Sequence, residues 1–448
     1  MLVGAEYAAA MAIKDGASMT SRARSLRTLW TALGPGLITG AADDDPSGIA
    51  TYSQAGAQFG FALTWTMFLT LPFMVAIQTI SACIGWQTRR GLAWNIAQRL
   101  PRPVLCGLVA LLVVANTINI AADLAAMGEA VRLVAGGVAV VYALAFGVVC
   151  LIAQIIVPYH RYAGYLKFLT LVLLVYVATA FVVHIPWGTV AVSTFVPRLS
   201  LDRDFILMIV AVFGTTISPY LFFWQASQEA EESRLSHRRR HQAPVSSPDD
   251  FYARIAVDTW IGMIASNLVA FFIIITTAAT LNAHGITKID TAAQAAEALR
   301  PIAGELAFAL FAAGIIGTGL LAVPVLAASA AYAVAEMLGV RGSLELPARR
   351  AVGFYTIVGI ATIVGAALTA VRIDPITMLF WTAVINGVVA VPIMVAMMLV
   401  ISGRAAATGM SGAPTRLNLV LPAWLKVVGW VACALMAVTV ALSAWSSL

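Results

Sequence analysis

The chain has 448 residues, of which 61% are hydrophobic and 11% charged, with a mean hydropathy of +0.90 and a net charge of +6. That composition lies far outside the range of water-soluble domains, so the chain is an integral membrane protein with no room for a sizeable soluble domain.

A helix needs about 20 apolar residues to cross a hydrocarbon core of about 30 Å. Eleven runs meet that need: 33–57, 61–84, 103–131, 135–157, 164–184, 206–227, 254–281, 304–338, 350–370, 375–400 and 422–445. Before them, residues 1–28 carry scattered charges with no compact apolar stretch followed by an A-x-A site. They read as a cytoplasmic tail, with the first run itself targeting the chain.

The first run contains Asp43, Asp44 and Asp45, followed by Pro46, Ser47 and Gly48. A charge at the centre of a spanning helix costs about 2.5–3.5 kcal/mol on insertion scales, whereas each Leu, Ile, Phe or Val returns only about 0.3–0.6 kcal/mol. An unbroken lipid-facing helix is thereby excluded. Pro46 removes a backbone donor and disfavours helix at the residue before it, and Gly48 adds freedom. The expectation is a broken helix whose unwound turn near 44–48 lines a water-accessible cavity, the only place where irregular backbone is tolerated at membrane depth. Its freed carbonyls and the Asp45 carboxylate are hard oxygen ligands.

The sixth run carries a second interruption, Gly214, Thr215, Thr216, Ile217, Ser218, Pro219 and Tyr220. Matching breaks five runs apart are what an inverted repeat of five plus five helices produces, with the site where the broken helices face each other. A pair of ordinary proline kinks is the alternative, and the acids in the first run weigh against it. The repeats divide the chain into 29–184 and 206–400, with an extra helix over 422–448. Gln225, Asn267 and Asn386 are expected to hydrogen-bond between helices. Glu229, Glu231 and Glu232 fall in a loop over 228–253, either solvated or drawing cations toward an inner vestibule. Pro324 and Pro392 are expected to kink packed helices. Cys83, Cys106, Cys150 and Cys433 lack metal-type spacing and read as small core residues.

Short loops rich in Lys and Arg stay cytoplasmic. With the N-terminus inside, eleven runs leave 21 basic residues inside and only Arg132, Arg198, Arg203, Lys288, Arg300 and Arg372 outside, which accounts for all 27. The C-terminus is then outside, and topology explains the positive charge. The basic stretch 236–241 reads as a solvated loop in preference to a nucleic-acid contact. There is no H-E-x-x-H, no G-x-S-x-G and no Gly-rich phosphate loop, and none of His160, His184, His237, His241 and His284 lies in the middle of a run. An enzyme and a bound cofactor are therefore not expected.

Gly34, Pro35 and Gly36, followed by Asp45, Pro46, Ser47 and Gly48, resemble a G-P-G start and a D-P-G-N motif. The 214–220 segment sits where a G-A-T-x-M-P-H segment would stand. Those motifs open the first and sixth helices of the Nramp family of divalent metal transporters. The likeness continues through 78–93, through Ala122, Asp123, Leu124 and Ala125, and through 308–339. It implies an all-α membrane protein with a LeuT-like 5+5 inverted repeat, broken helices 1 and 6, and alternating access to a metal site in a bacterial cytoplasmic membrane. Asp45 becomes the principal anionic ligand. Backbone carbonyls near Asp45 and Thr215 assist it, and Ser218 and Gly48 contribute directly or through water. Asp44, Tyr220, Asp123 and Gln225 belong to the cavity or its gates, with Asp44 either raising the negative potential or facing a polar partner helix.

The departures from the family pattern bear on the ion. Gly48 replaces the D-P-G-N asparagine, and Ser218 replaces a methionine whose soft sulfur suits transition metals. An all-oxygen site with two side chains removed leaves room for a less dehydrated cation and favours Mg²⁺, which gives up its waters reluctantly. These changes resemble the Nramp-related magnesium transporter branch, in which Mg²⁺ joins Mn²⁺ as a substrate. Tyr220 stands in place of the family's histidine, and Ala126 in place of the glutamate three residues after Asp123, with Glu129 a possible substitute. Uncoupled transport is the expectation. The alternatives are a proton-coupled Mn²⁺/Fe²⁺ symporter and, on the same fold, a symporter of a small organic solute.

Overall fold

The computed structural model of the protein describes residues 35–157, 170–239, 248–371, 373–402, 419 and 421–446. The predicted tail over 1–28, the start of the fifth run and most of the 236–241 stretch lie outside these residues or have no side chains described.

The first run is two helices, α1 (Pro35–Asp43) and α2 (Pro46–Phe59), with Asp44 and Asp45 between them. The local sequence explains the restart. Asp45 is extended, with φ −71° and ψ 170°, and its carboxylate accepts a hydrogen bond from Gly48 N at 2.7 Å. Pro46 occupies the first helical position, where a missing N–H is harmless. After one 3-10 turn the chain enters α3 (Thr64–Thr88), which ends at Arg89 with φ 55°. α4 (Leu92–Ala97) is short, and the Glu336 carboxylate holds its start by accepting from Gly91 N at 2.6 Å and Trp94 N at 3.2 Å. A Cβ at Gly91 would stand 2.4 Å from Glu336 Oε1 and would push that carboxylate aside.

α5 (Arg102–Ala135) and α6 (Ala139–Ile156) follow, then α7 (Leu174–Val182) and α8 (Trp187–Phe195). The sixth run breaks as expected into α9 (Arg203–Thr216) and α10 (Pro219–Arg239), with Ile217 and Ser218 between them. α11 (Pro248–Thr280), the short α12 (Ala292–Glu297) and α13 (Arg300–Ala303), and the long α14 (Ala307–Leu338) come next. α15 (Val352–Leu368), α16 (Pro375–Ser402) and α17 (Ala423–Ser446) complete the order. No strand occurs among the described residues.

Small residues let the helices carrying the breaks sit against their neighbours, which is how packing substitutes for the hydrophobic effect in lipid. Gly40 of α1 lies on Gly262 of α11, where an added Cβ would be 2.3 Å from a carbonyl oxygen. Gly214 of α9 lies on Ala383 and Gly387 of α16, where a Cβ would be 2.0 Å from the Ala383 oxygen. The sixth span is accordingly central: 94% of its most apolar stretch is buried, against 22% for α6 and 28% for α17, which turn apolar side chains outward.

Eight stretches among the described residues are long and apolar enough to cross a membrane, nine if Leu171–Val182 and Trp187–Phe195, bent by 118°, form one span. The expected eleven counts Pro46–Thr88, whose 43 residues exceed the about 20 that one crossing needs, as two spans and includes the shorter Val352–Leu368. Other expectations need correction. Helix extends to Arg239 and resumes at Pro248, so much of the predicted 228–253 loop is ordered backbone. Glu229 and Glu231 are buried, at 1% and 7% exposure, because Arg254 and Tyr332 reach them. Cys106 is exposed, unlike the other three cysteines.

Arg234 Nε donates to Arg89 O at 2.8 Å, Arg254 pairs with Glu229 and Glu232, and Arg132 lines a cleft with Thr291.

Candidate functional site

The two breaks meet. A Cβ on Gly48, in the first turn of α2, would stand 3.1 Å from Thr215 Oγ1 of α9, 3.3 Å from the Tyr52 ring and 3.4 Å from Asp43 O. From the second break, the Tyr220 hydroxyl donates to Ala42 O at 2.8 Å, tying the start of α10 to the end of α1. Asp45, Gly48, Thr215, Ser218 and Tyr220 are all buried at the same junction.

Each oxygen has a definable state. Asp45 Oδ1 accepts from Gly48 N, and Oδ2 accepts from Asn119 Nδ2 of α5 at 3.2 Å. The Ser218 hydroxyl donates toward the last carbonyls of α9, 3.0 Å from Gly214 O and 2.9 Å from Thr215 O. With its single proton committed there, its lone pairs are left as acceptors. Thr215 and Ser218 therefore supply neutral oxygens and Asp45 supplies charge.

The surrounding acids are arranged by neighbouring helices. Ser266 Oγ of α11 lies 2.8 Å from Asp43 Oδ2 and 2.9 Å from Asp44 Oδ1. Asp44 thus has a polar partner on α11. Asp123 is fully buried, with neither carboxyl oxygen hydrogen-bonded, and lies within electrostatic range of Asp45. Among the described residues no lysine or arginine is buried. Four carboxyl groups thus stand in the interior with no basic side chain beside them, an arrangement that favours a cation.

Other candidates are placed differently. Gln225 Oε1 accepts from Thr39 Oγ1 of α1, linking α10 about two turns after its break to α1 about one turn before the other. Asn267 reaches Thr70 and Met74, the helix-to-helix bond expected of it, but neither end of the buried Asn386 amide has a partner. Glu129 is tied to Arg132, at 2.5 and 2.8 Å, in an outer cleft. Six residues along a helix turn it onto another face than Asp123, so it does not replace the missing glutamate. The room expected from Gly48 is already occupied by Thr215 and Tyr52. Two residues at the junction escaped the sequence reading, Asn119 and Ser266. For Asn119 the signal was present: it stands four residues before Asp123 and so shares its helix face.

A family profile described as natural resistance-associated macrophage protein-like (Nramp) matches residues 36–446. Two curated relatives are named divalent metal cation transporter MntH. The one from Verminephrobacter eiseniae is 27% identical over 314 residues, covering 68% of each chain. The one from Yersinia enterocolitica is 29% identical over 306 residues, covering 66% of this chain and 70% of the relative. Among solved structures, the Eremococcus coleocola manganese transporter superposes with a TM-score of 0.68 at 17% identity, covering 92% of this chain and 86% of that one. Mhp1, a nucleobase-cation-symport-1 family transporter, superposes at 0.58 and 13% identity, covering 93% and 92%. The fold is the LeuT-like one with broken first and sixth helices, and the chain belongs to the Nramp family.

Proposed function

We propose that the protein moves divalent cations, Mg²⁺ and Mn²⁺, across the membrane by alternating access, down their gradients and without a coupled proton. It is a transporter and not an enzyme, with the cation as substrate. Family membership supports the substrate class, as do the relatives named for divalent metal transport. The repeats over 29–184 and 206–400 are the two bodies that rock about the site, with the N-terminus inside and the C-terminus outside.

The observation that carries this reading is the Asp45 carboxylate, 2% exposed at one broken helix and met by the other. A dication held there is balanced by Asp45 and Asp123 together. Thr215, Ser218, carbonyls freed at the breaks and retained water complete an oxygen shell, the donor type that Mg²⁺ and Mn²⁺ prefer. Tyr220, bonded to Ala42 O, and Ala126 offer no proton carrier near neutrality.

A second reading, proton-coupled symport of Mn²⁺ or Fe²⁺, is favoured by one observation: Asp123 is buried with both oxygens unpartnered. No comparable feature favours an organic solute.

Uptake by protein reconstituted into liposomes tests the reading. Asp45→Asn keeps an oxygen to cap α2 but removes the charge, and Mg²⁺ and Mn²⁺ entry should fall at least tenfold with the protein still monodisperse. Unchanged entry would remove Asp45 from the site.

A further inference from the structure

We infer that Asn119 is a specificity-determining ligand of the transported cation, supplying from α5 the carboxamide oxygen that this chain lacks at position 48. The inference rests on the proposed site at Asp45 and extends it.

Position 48 has no side chain to offer, and the packing leaves none a place. A Cβ there would already crowd Thr215 Oγ1 at 3.1 Å and the Tyr52 ring at 3.3 Å. Contacts of that length force the neighbours to give, and a whole carboxamide would displace them further. The amide is found instead across the junction. Asn119 is fully buried, its Nδ2 donates to Asp45 Oδ2 at 3.2 Å, and its Oδ1 has no partner.

A buried carbonyl oxygen left unpaired costs about 1–3 kcal/mol, and a cation beside Asp45 would satisfy it. The neighbouring Asn116 also has an unpaired Oδ1 and differs in what its amide N–H groups hold. Its Nδ2 donates to Leu326 O and Ser329 Oγ, both at 2.8 Å, and ties α5 to α14. Asn119 instead donates to a carboxylate of the site, so its one bond between elements runs to Asp45 itself.

The geometry suits an exchange. The two ends of a carboxamide are nearly the same size, so half a turn about its last bond places Oδ1 where Nδ2 now stands, 3.2 Å from Asp45 Oδ2. Two adjacent oxygens around an octahedral Mg²⁺, each at about 2.1 Å, are about 3.0 Å apart. In the structure the amide N–H faces Asp45 Oδ2. With the cation bound, Oδ1 and Asp45 Oδ2 become neighbouring ligands. The spacing of four residues puts Asp123 on the same face of α5, one turn further along.

The test replaces the hard oxygen with sulfur and reads selectivity, which a residue that only orients Asp45 would leave alone. Cd²⁺ and Mg²⁺ binding to the purified full-length chain is measured by titration calorimetry for wild type and Asn119→Met. A ligand role predicts that the Cd²⁺-over-Mg²⁺ preference rises fivefold or more, because sulfur favours soft cations. Any smaller change, including equal weakening of both metals, overturns the inference. If Asn119→Met does not fold, Asn119→Cys, closer in size, is judged by the same ratio. Asp45→Asn is measured alongside. Undiminished Mg²⁺ binding in that variant overturns the underlying site, whereas lost binding there with an unchanged ratio at position 119 overturns only the role of Asn119.

Discussion

Ser218 shows how one side chain sets the chemistry of a site without altering its frame. Its proton is committed to the end of α9, so it presents oxygen lone pairs where the family carries a thioether. Ser218→Met should therefore raise the preference for Cd²⁺ or Mn²⁺ over Mg²⁺ about tenfold in competition uptake. An unchanged selectivity series would mean that residue 218 does not touch the ion. Asp45 was legible in the sequence because an acid at membrane depth has few explanations. Ser266 was not, because a hydroxyl inside a span is commonly a packing bond, and Asn119 was marked only by its spacing from Asp123. Only the neighbour it meets in space, Asp45 in one case and Asp43 with Asp44 in the other, distinguishes the role.

The two broken helices were readable as elements because their local grammar is explicit. Asp-Pro is a helix cap followed by the one residue that needs no donor, and Pro219 likewise stands at the start of the second half of the sixth helix, while the Ser218 hydroxyl turns back to the end of α9. The C-terminal end of α10 was misread because glutamates in a polar stretch resemble a solvated loop. In the structure Arg254 of α11 holds Glu229 at 3.0 Å and Glu232 at 2.6 Å, and its guanidinium lies 4.7 Å above the Trp86 ring of α3. The Glu229 side chain is 1% exposed and Arg254 30%, so removing the cation strands a buried charge. Arg254→Ala should destabilise the protein by about 3 kcal/mol. It would be seen as a thermal midpoint several degrees lower in detergent, largely restored when Glu229→Gln is added. A midpoint equal to wild type would show that the pair contributes nothing.

At the scale of the whole molecule, membrane class and fold followed from hydropathy and from two interruptions at matching places. The number of spans did not follow so cleanly, because a 43-residue stretch joined by a 3-10 turn and a span bent by 118° do not count as simple cylinders. Coupling is a property of the whole cycle. With Ala126 and Tyr220 at the positions where the family has a glutamate and a histidine, a pH-sensitive dye trapped in liposomes should stay unchanged while Mg²⁺ enters. Acidification in step with uptake would instead assign a proton to Asp123. The central claim is that a dication sits on Asp45 between the two breaks. The most direct measurement is anomalous X-ray scattering from crystals grown with Mn²⁺. The account predicts one strong peak within about 2–2.5 Å of an Asp45 carboxylate oxygen, bounded by the 214–218 segment. A fully occupied Mn²⁺ peak elsewhere, with Asp45 still bonded only to Gly48 and Asn119, would contradict it.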